Sequence, residues 1–200
     1  MKADMSNADN ATLDLIFRNA RSQNGWQDKP VTDDQLRAIY DLAKWGPTSM
    51  NTQPMRIQFL RTAEAKARLL PCMSAGNQNK TATAPVVAII GYNLEFYEDL
   101  VKNFAHNPNA RAVFAGNEAL IQGTAFRNGT LQGAYLMIAA RAHGLDCGPM
   151  SGFDAAKADA EFWAGTKVKT NFITGIGYGD PAKVMGRLPR FTFDEACKLL

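Results

Sequence analysis

The chain has 200 residues, 46% of them hydrophobic and 20% charged, with a formal net charge of +3. That length supports one domain with a substantial core, and so small and scattered a basic excess does not make a nucleic-acid-binding surface. Three cysteines, Cys72, Cys147 and Cys197, lie far apart with no C-x-x-C pair and only His106 and His143 as companions. This usage argues against a disulfide framework or a zinc site and fits a reducing cytoplasm. The start MKADMSNADNATLDLIF lacks the apolar core of a signal peptide, and no apolar run approaches a membrane span. A soluble cytoplasmic protein without nucleic-acid or membrane partners is the expectation.

Residues 1–10 read as a loose tail, after which Leu13, Ile16, Phe17 and Ala20 fall at helical spacing. The segment TDDQLRAIYDLAKWG predicts a helix capped by Thr32, with Gln35 placed for a capping box and Leu36, Ile39, Tyr40 and Ala43 as its buried stripe. Gly46 and Pro47 end it. Between Pro47 and Pro54 then come Thr48, Ser49, Asn51, Thr52 and Gln53, more polar side chains than a turn requires. They make either a long loop that satisfies its own backbone or a rigid rim that binds a ligand rich in donors and acceptors.

RIQFLR alternates as a half-buried strand does, and Thr62 opens a short helix. AGNQNKTATAP reads as a polar loop before APVVAIIGY, a continuous apolar run expected to be a central strand. NLEFYEDLVKNFAHNPNARAVFAGNE mixes aromatics with turn formers, as an irregular or short-helical insertion over a substrate would. The longest helical pattern follows, with Leu120, Thr124, Leu131, Ala134, Tyr135, Ile138, Ala139 and Ala142 on one face and Gly144 at its end. Gly123, Gly129 and Gly133 within it call for close packing or a local break. LDCGPM predicts a short strand, DAAKADAEFW a helix capped by Asp154, VKTNFITGIGYG a strand, and FTFDEACKLL a closing helix. The sum is one α+β domain over 1–200, without repeats or linkers.

TGIGYGD resembles a dinucleotide-binding glycine loop only superficially. Gly175, Gly177 and Gly179 are followed by Pro181 and not by a helix N-terminus that could receive a pyrophosphate. A glycine-containing core strand is the better reading. The two isolated histidines assemble no catalytic triad, and His143 suits a helix C-terminus. Arg21 and Ser22, Asn77 and Lys80, the turn GPMSGFD and the segment MGRLPR each have an ordinary structural reading alone.

Together and in this order, they resemble the nitroreductase family of FMN-dependent oxidoreductases. The motifs are RS at Arg21, PTSMNTQP from Pro47, NQNK from Asn77, PMSGFD from Pro149 and RLP from Arg187. Within the family, ARSQNGW, KWGPTSMN, TAFRN, GLDCGPMSGFD, IGYGD and RLPR are similar to the malonic semialdehyde reductase branch. The resemblance implies a mainly antiparallel central sheet flanked by helices, in an intertwined homodimer with FMN at the subunit interface. It implies reduction of FMN by NADPH or NADH, and then of a small-molecule acceptor: malonic semialdehyde, giving 3-hydroxypropionate. A broad nitroarene or quinone reductase, or a flavin-binding protein with little turnover, is the alternative.

The same resemblance gives Arg21, Ser22 and Arg187 to the FMN phosphate, and Asn77 and Lys80 to the pyrimidine edge of the flavin. Pro149, Met150, Ser151 and Gly152 come near its N5 edge, while Pro47, Thr48, Ser49 and Asn51 reach in from the neighbouring chain. Hydride transfer stays with FMN, and Lys80 supports the reduced form. No protein nucleophile and no metal are implied. Many family members carry a basic residue where this chain has Asn24, a Glu at Ser151 and a basic residue at Met185. Phosphate binding here therefore leans on Arg21 and Arg187. Arg56, Arg111 and Arg127 are chemical candidates for a substrate carboxylate, and Phe104, Phe114 and Phe126 for the pocket wall.

Overall fold

The strand Val86–Asn93 (β2) is apolar from Val86 to Gly91 because it is covered on both faces there. Successive strand side chains point to opposite faces, and in the computed structural model, which describes residues 7–200, the alternation divides two cores. Val86, Ala88 and Ile90 pack with Leu36, Ile39, Leu136 and Ala140 on one side. Val87 and Ile89 pack with Leu69, Ala158, Phe162 and Ile173 on the other. Each large apolar side chain buried in this way contributes about 1.5–3 kcal/mol.

The elements around β2 follow the chain order. A short α-helical turn, α1 (Asn10–Leu13), is capped by Asp9 and continues as a π-helical turn over Asp14–Arg18. The expected loose tail, 1–10, lies outside the described residues over 1–6, and Asn10 already belongs to the helix. Helix α2 (Asp33–Ala43) has the expected capping box between Thr32 and Gln35. Then come β1 (Met55–Leu60), α3 (Ala63–Leu69, capped by Thr62) and α4 (Ala75–Thr83). After β2, the aromatic segment forms a 3₁₀ turn and two short helices, α5 (Leu100–Asn103) and α6 (Ala110–Phe114). The long helix α7 (Glu118–Ala142) precedes β3 (Asp146–Met150), α8 (Ala155–Phe162), β4 (Val168–Gly177) and a final turn, α9 (Phe193–Ala196). The strands pair antiparallel in the order β1-β2-β4-β3, with one register shift at Ile90/Gly91. This is the α+β arrangement expected. Among the described residues no helix is long and apolar enough to cross a membrane, and no His/Cys/Asp/Glu group could hold a metal ion.

Several local expectations need correction. AGNQNKTATAP is the helix α4 and not a loop, although it has no apolar stripe. The closing helix is only a single turn. Tyr40 is 47% exposed, so it leaves the buried stripe of α2. The largest revision concerns α7, which is unbroken by its glycines. Its buried residues are Ile121, Thr124, Ala125, Asn128, Gly129, Gln132, Gly133, Leu136, Ala139 and Ala140, while Leu120, Leu131 and Tyr135 face outward.

Small residues on α7 let its backbone approach the sheet. A Cβ at Gly133 would lie 2.6 Å from the Phe172 ring on β4. Gly133→Val is accordingly expected to destabilise the fold by about 1–3 kcal/mol through overpacking, measured as a shift in urea midpoint with little change in slope. A destabilisation below experimental error would mean that the Phe172 ring yields freely.

Candidate functional site

The N-terminal turn is tied to the sheet by backbone pairing: Ser22 bridges Cys147 of β3, and the Gln23 amide donates to the Cys147 carbonyl at 3.0 Å. Trp26 follows and lays its ring on the glycine face of β4, against Gly175 and Gly177. These glycines therefore make room for an indole in a core strand, and only a single 3₁₀ turn, Pro181–Lys183, follows them. The Trp26 indole N–H donates to the Lys80 carbonyl at 3.0 Å, which fixes α4 against the same turn. Lys80 Nζ then comes within 3.5 Å of Asn24 Oδ1. Along α4, the Asn77 side-chain amide donates to the Gly152 carbonyl at 2.9 Å. A Cβ at Gly152 would stand 2.7 Å from that amide nitrogen, so a side chain there would displace the Asn77 amide. Arg21, Ser22, Asn77, Lys80 and the turn Pro149–Met150–Ser151–Gly152 thus belong to one connected surface, built from three separated stretches of sequence.

The C-terminal segment closes one end of this surface. Arg21 donates to the Met185 carbonyl, and Arg187 Nη2 donates back to the carbonyls of Arg18 (2.5 Å) and Ala20 (3.5 Å). Between the segments lies a cleft of about 390 Å³ lined by Phe17, Arg21, Ser22, Asn24, Arg141, Met185, Arg187 and Arg190, among others. Its four arginines form no ion pair with a carboxylate among the described residues. A pocket of unneutralised guanidinium groups, with donors fixed in planar forks, suits a phosphate or another compact anion.

The polar rim between Pro47 and Pro54 is a separate place. Pro47, Thr48 and Asn51 line a cleft of about 380 Å³ with Tyr40, Lys44, Trp45, Gly46 and Gln53, and share none of it with the arginines. The loop backbone takes three positive φ values at non-glycine residues, Met50 (50°), Asn51 (51°) and Gln53 (41°), conformations that persist only where surroundings impose them. Buried amides on α7 impose them. Asn128 Oδ1 accepts from the Ser49 amide at 2.8 Å, and Gln132 Oε1 accepts from the Met55 amide at 2.9 Å. Asn51 itself is engaged: its Nδ2 donates to the Asn103 carbonyl at 2.8 Å and its Oδ1 accepts from Gln53 Nε2 at 2.9 Å. The loop is therefore clamped to the aromatic insertion as well as to α7, although the buried Thr52 hydroxyl in it has no hydrogen-bond partner among the described residues.

Of the arginines considered for a carboxylate, Arg56 pairs with Asp99 at 3.0 Å and Arg111 pairs with Glu98 in a two-bond fork at 2.6 and 2.7 Å. Arg127 has no carboxylate partner among the described residues. Phe114 is buried in the small core under the insertion, whereas Phe126 is 49% exposed, its ring edge-on to Tyr92. His106 meets the Phe104 ring edge-on, with ring centroids 3.9 Å apart. Burial pushes the Cys147 thiol up to about 12, so it is a neutral core group and not a nucleophile. Asn128, Gln132, Trp26 and Arg141 were not singled out by motif reading. A polar residue interrupting a long apolar helix is the signal that finds the first two.

The Nitroreductase family model matches residues 18–178. A protein of Cupriavidus pinatubonensis, provisionally named NADH dehydrogenase/NAD(P)H nitroreductase, is 56% identical over 192 residues, covering 95% of this chain and 98% of its own. Among solved structures, a provisionally named nitroreductase from Exiguobacterium sibiricum in complex with FMN superposes with a TM-score of 0.83 at 18% identity, over 98% of this chain and 99% of that one. The enone reductase CLA-ER, of gut-bacterial fatty acid saturation, gives 0.82 at 18% identity over 97% and 100%.

Proposed function

We propose that this chain, which belongs to the nitroreductase family, is an FMN-dependent NAD(P)H oxidoreductase that reduces malonic semialdehyde to 3-hydroxypropionate. The observation that carries the cofactor reading is the arginine cleft at one end of the surface that holds Lys80 and the Gly152 turn. The donor set fits FMN. Guanidinium groups without carboxylate partners suit a terminal phosphate, and a glycine at 152 adds no side chain that would keep a flat ring from the backbone. The FMN carried by the Exiguobacterium structure supports the same reading.

Bound FMN supplies the hydride chemistry. The residues of this chain hold and tune it. Arg21, Ser22 and Arg187 orient the phosphate, Asn77 and Lys80 address the pyrimidine edge, and Lys80 brings positive charge to the atoms that gain electron density on reduction. Pro149, Met150, Ser151 and Gly152 border the N5 edge.

The rim of Pro47, Thr48, Ser49 and Asn51 completes the site from a second copy in a homodimer. Support for that comes from its separation from the arginine cleft within one chain, and from apolar side chains left outward on α2, α7 and the C-terminal segment. Trp45 is 79% and Phe191 82% exposed, and such surfaces mark contact sites. We take residues 1–200 as one domain, working in the cytoplasm. For an acceptor that is a carboxylate-bearing aldehyde, Arg127 is the candidate whose charge is not already paired. The name of the Cupriavidus relative favours a second reading, a nitroarene or quinone reductase, since one flavin site serves several acceptors.

The experiment is a visible spectrum of purified protein after FMN addition and desalting, followed by anaerobic NADPH or NADH and then by each acceptor. A retained flavin spectrum, bleached by either nucleotide and restored faster by malonic semialdehyde than by a nitroarene, is expected. Faster recovery with the nitroarene replaces the proposed acceptor. No retained flavin, or flavin that nucleotides do not bleach, removes the enzyme reading.

A further inference from the structure

One arginine of the cleft is assigned by none of the motifs. Arg141 lies in the last turn of α7 and lines the cleft beside Arg21, Ser22, Arg187 and Arg190. Its neighbours are otherwise committed. Arg21 donates to the Met185 carbonyl, Arg187 to those of Arg18 and Ala20, and Arg190 to those of Leu188 and Pro189. Arg141 makes a single long bond, from Nη1 to the Ile16 carbonyl at 3.3 Å. Its Nε is buried with no hydrogen-bond partner, and it forms no ion pair among the described residues. A guanidinium carries five donors, and leaving one of them buried and unpaired on a charged group is unfavourable. An anion in the cleft does not reach that buried Nε, but it pairs with the charge of a guanidinium that has few other partners.

The Ile16 contact shows how the side chain is aimed. Ile16 belongs to the π-helical turn Asp14–Arg18 at the end of the first helix, where carbonyls run out of backbone partners. That carbonyl holds Nη1 of a side chain that also lines the cleft. Met185 contributes only its carbonyl there, its side chain being apolar and 74% exposed.

We propose that Arg141 is a phosphate-recognising residue of the cofactor cleft, supplying from α7 the charge that Met185 does not. This rests on the FMN reading above. The test compares FMN with riboflavin, which lacks the phosphate, by equilibrium titration of flavin fluorescence against wild type, Arg141→Met and Arg141→Lys. Loss of a charge-assisted fork predicts about 10- to 100-fold weaker FMN binding in Arg141→Met, with riboflavin binding changed less than about threefold. Arg141→Lys, which keeps the charge without the fork, is expected to fall between. FMN affinity in Arg141→Met within twofold of wild type overturns the proposal. Equal losses for FMN and riboflavin also overturn it, because they assign Arg141 a structural role through Ile16. A wild-type protein that binds riboflavin and FMN equally removes phosphate recognition altogether, and one that binds neither removes the FMN reading with it.

Discussion

Replacing Asn128 and Gln132 together by Leu is expected to destabilise the protein by about 2–5 kcal/mol, less than the summed single losses, and to weaken FMN binding at least about tenfold. Both amides are nearly inaccessible, at 2% and 4% exposure, and each accepts from a backbone N–H of the Pro47–Met55 stretch. Leu fills a comparable volume but cannot accept, so each substitution strands a donor at about 1–3 kcal/mol. The Met55 amide is the costlier of the two, since its bond is fully buried. Asn128 is itself oriented by donation from its Nδ2 to the Thr124 carbonyl at 2.8 Å, so its oxygen is preset toward the loop.

Because both amides restrain one loop, the double variant should lose less than the sum of the singles. Urea denaturation of all three variants measures this. The loop carries three positive φ values at non-glycine residues, and once released it relaxes away from the geometry that the proposed homodimer uses to meet its partner's flavin. A double variant within 0.5 kcal/mol of wild type, by the scatter expected of distant surface sites, or one that retains FMN affinity, would dismiss the clamp.

The same residues explain what could be read from sequence. The β2 run, the Thr32–Gln35 box and the helix cap at Asp154 are local signals, and the structure contains each of them. The orientation of α7 was not legible, because apolar periodicity assumes that the apolar side faces the core. Here the sheet requires a thin face, so glycines and alanines go inward with two amides that serve the loop. Leu131 and Tyr135 are left outward, at 46% and 39% exposure, the Tyr135 ring resting against Gly46. Helix α4 was missed for a related reason: with Asn, Gln and Lys along it there is no stripe, and the helix is held from outside by Trp26 and by the Gly152 turn. The motif positions that mark the cleft were legible. Arg141 was not, since a lone arginine at a helix end has an ordinary reading against the helix dipole, and only the cleft geometry distinguishes it.

Lys80→Ala is expected to act on the flavin ring and not on its phosphate. Lys80 is half-buried on α4, with its carbonyl fixed by the Trp26 indole and its Nζ 3.5 Å from Asn24 Oδ1. Asn24 is neutral, so Lys80 carries the positive charge of this pair alone. Removing a fixed charge beside atoms that become negative on reduction is expected to slow flavin reduction by NADPH about 10- to 1,000-fold. It should also lower the two-electron midpoint potential by about 30–60 mV, with 30 mV corresponding to about 1.4 kcal/mol. Affinities for FMN and riboflavin should fall together, opposite to the selective loss expected at Arg141. Lys80→Arg keeps the charge in a bulkier fork and should recover most of the potential but less of the rate. The decisive reading is the potential, because a displaced helix would lower affinity without moving it. A midpoint in Lys80→Ala within a few millivolts of wild type would leave Lys80 as a structural lysine and transfer the tuning of the ring to the backbone of the Gly152 turn.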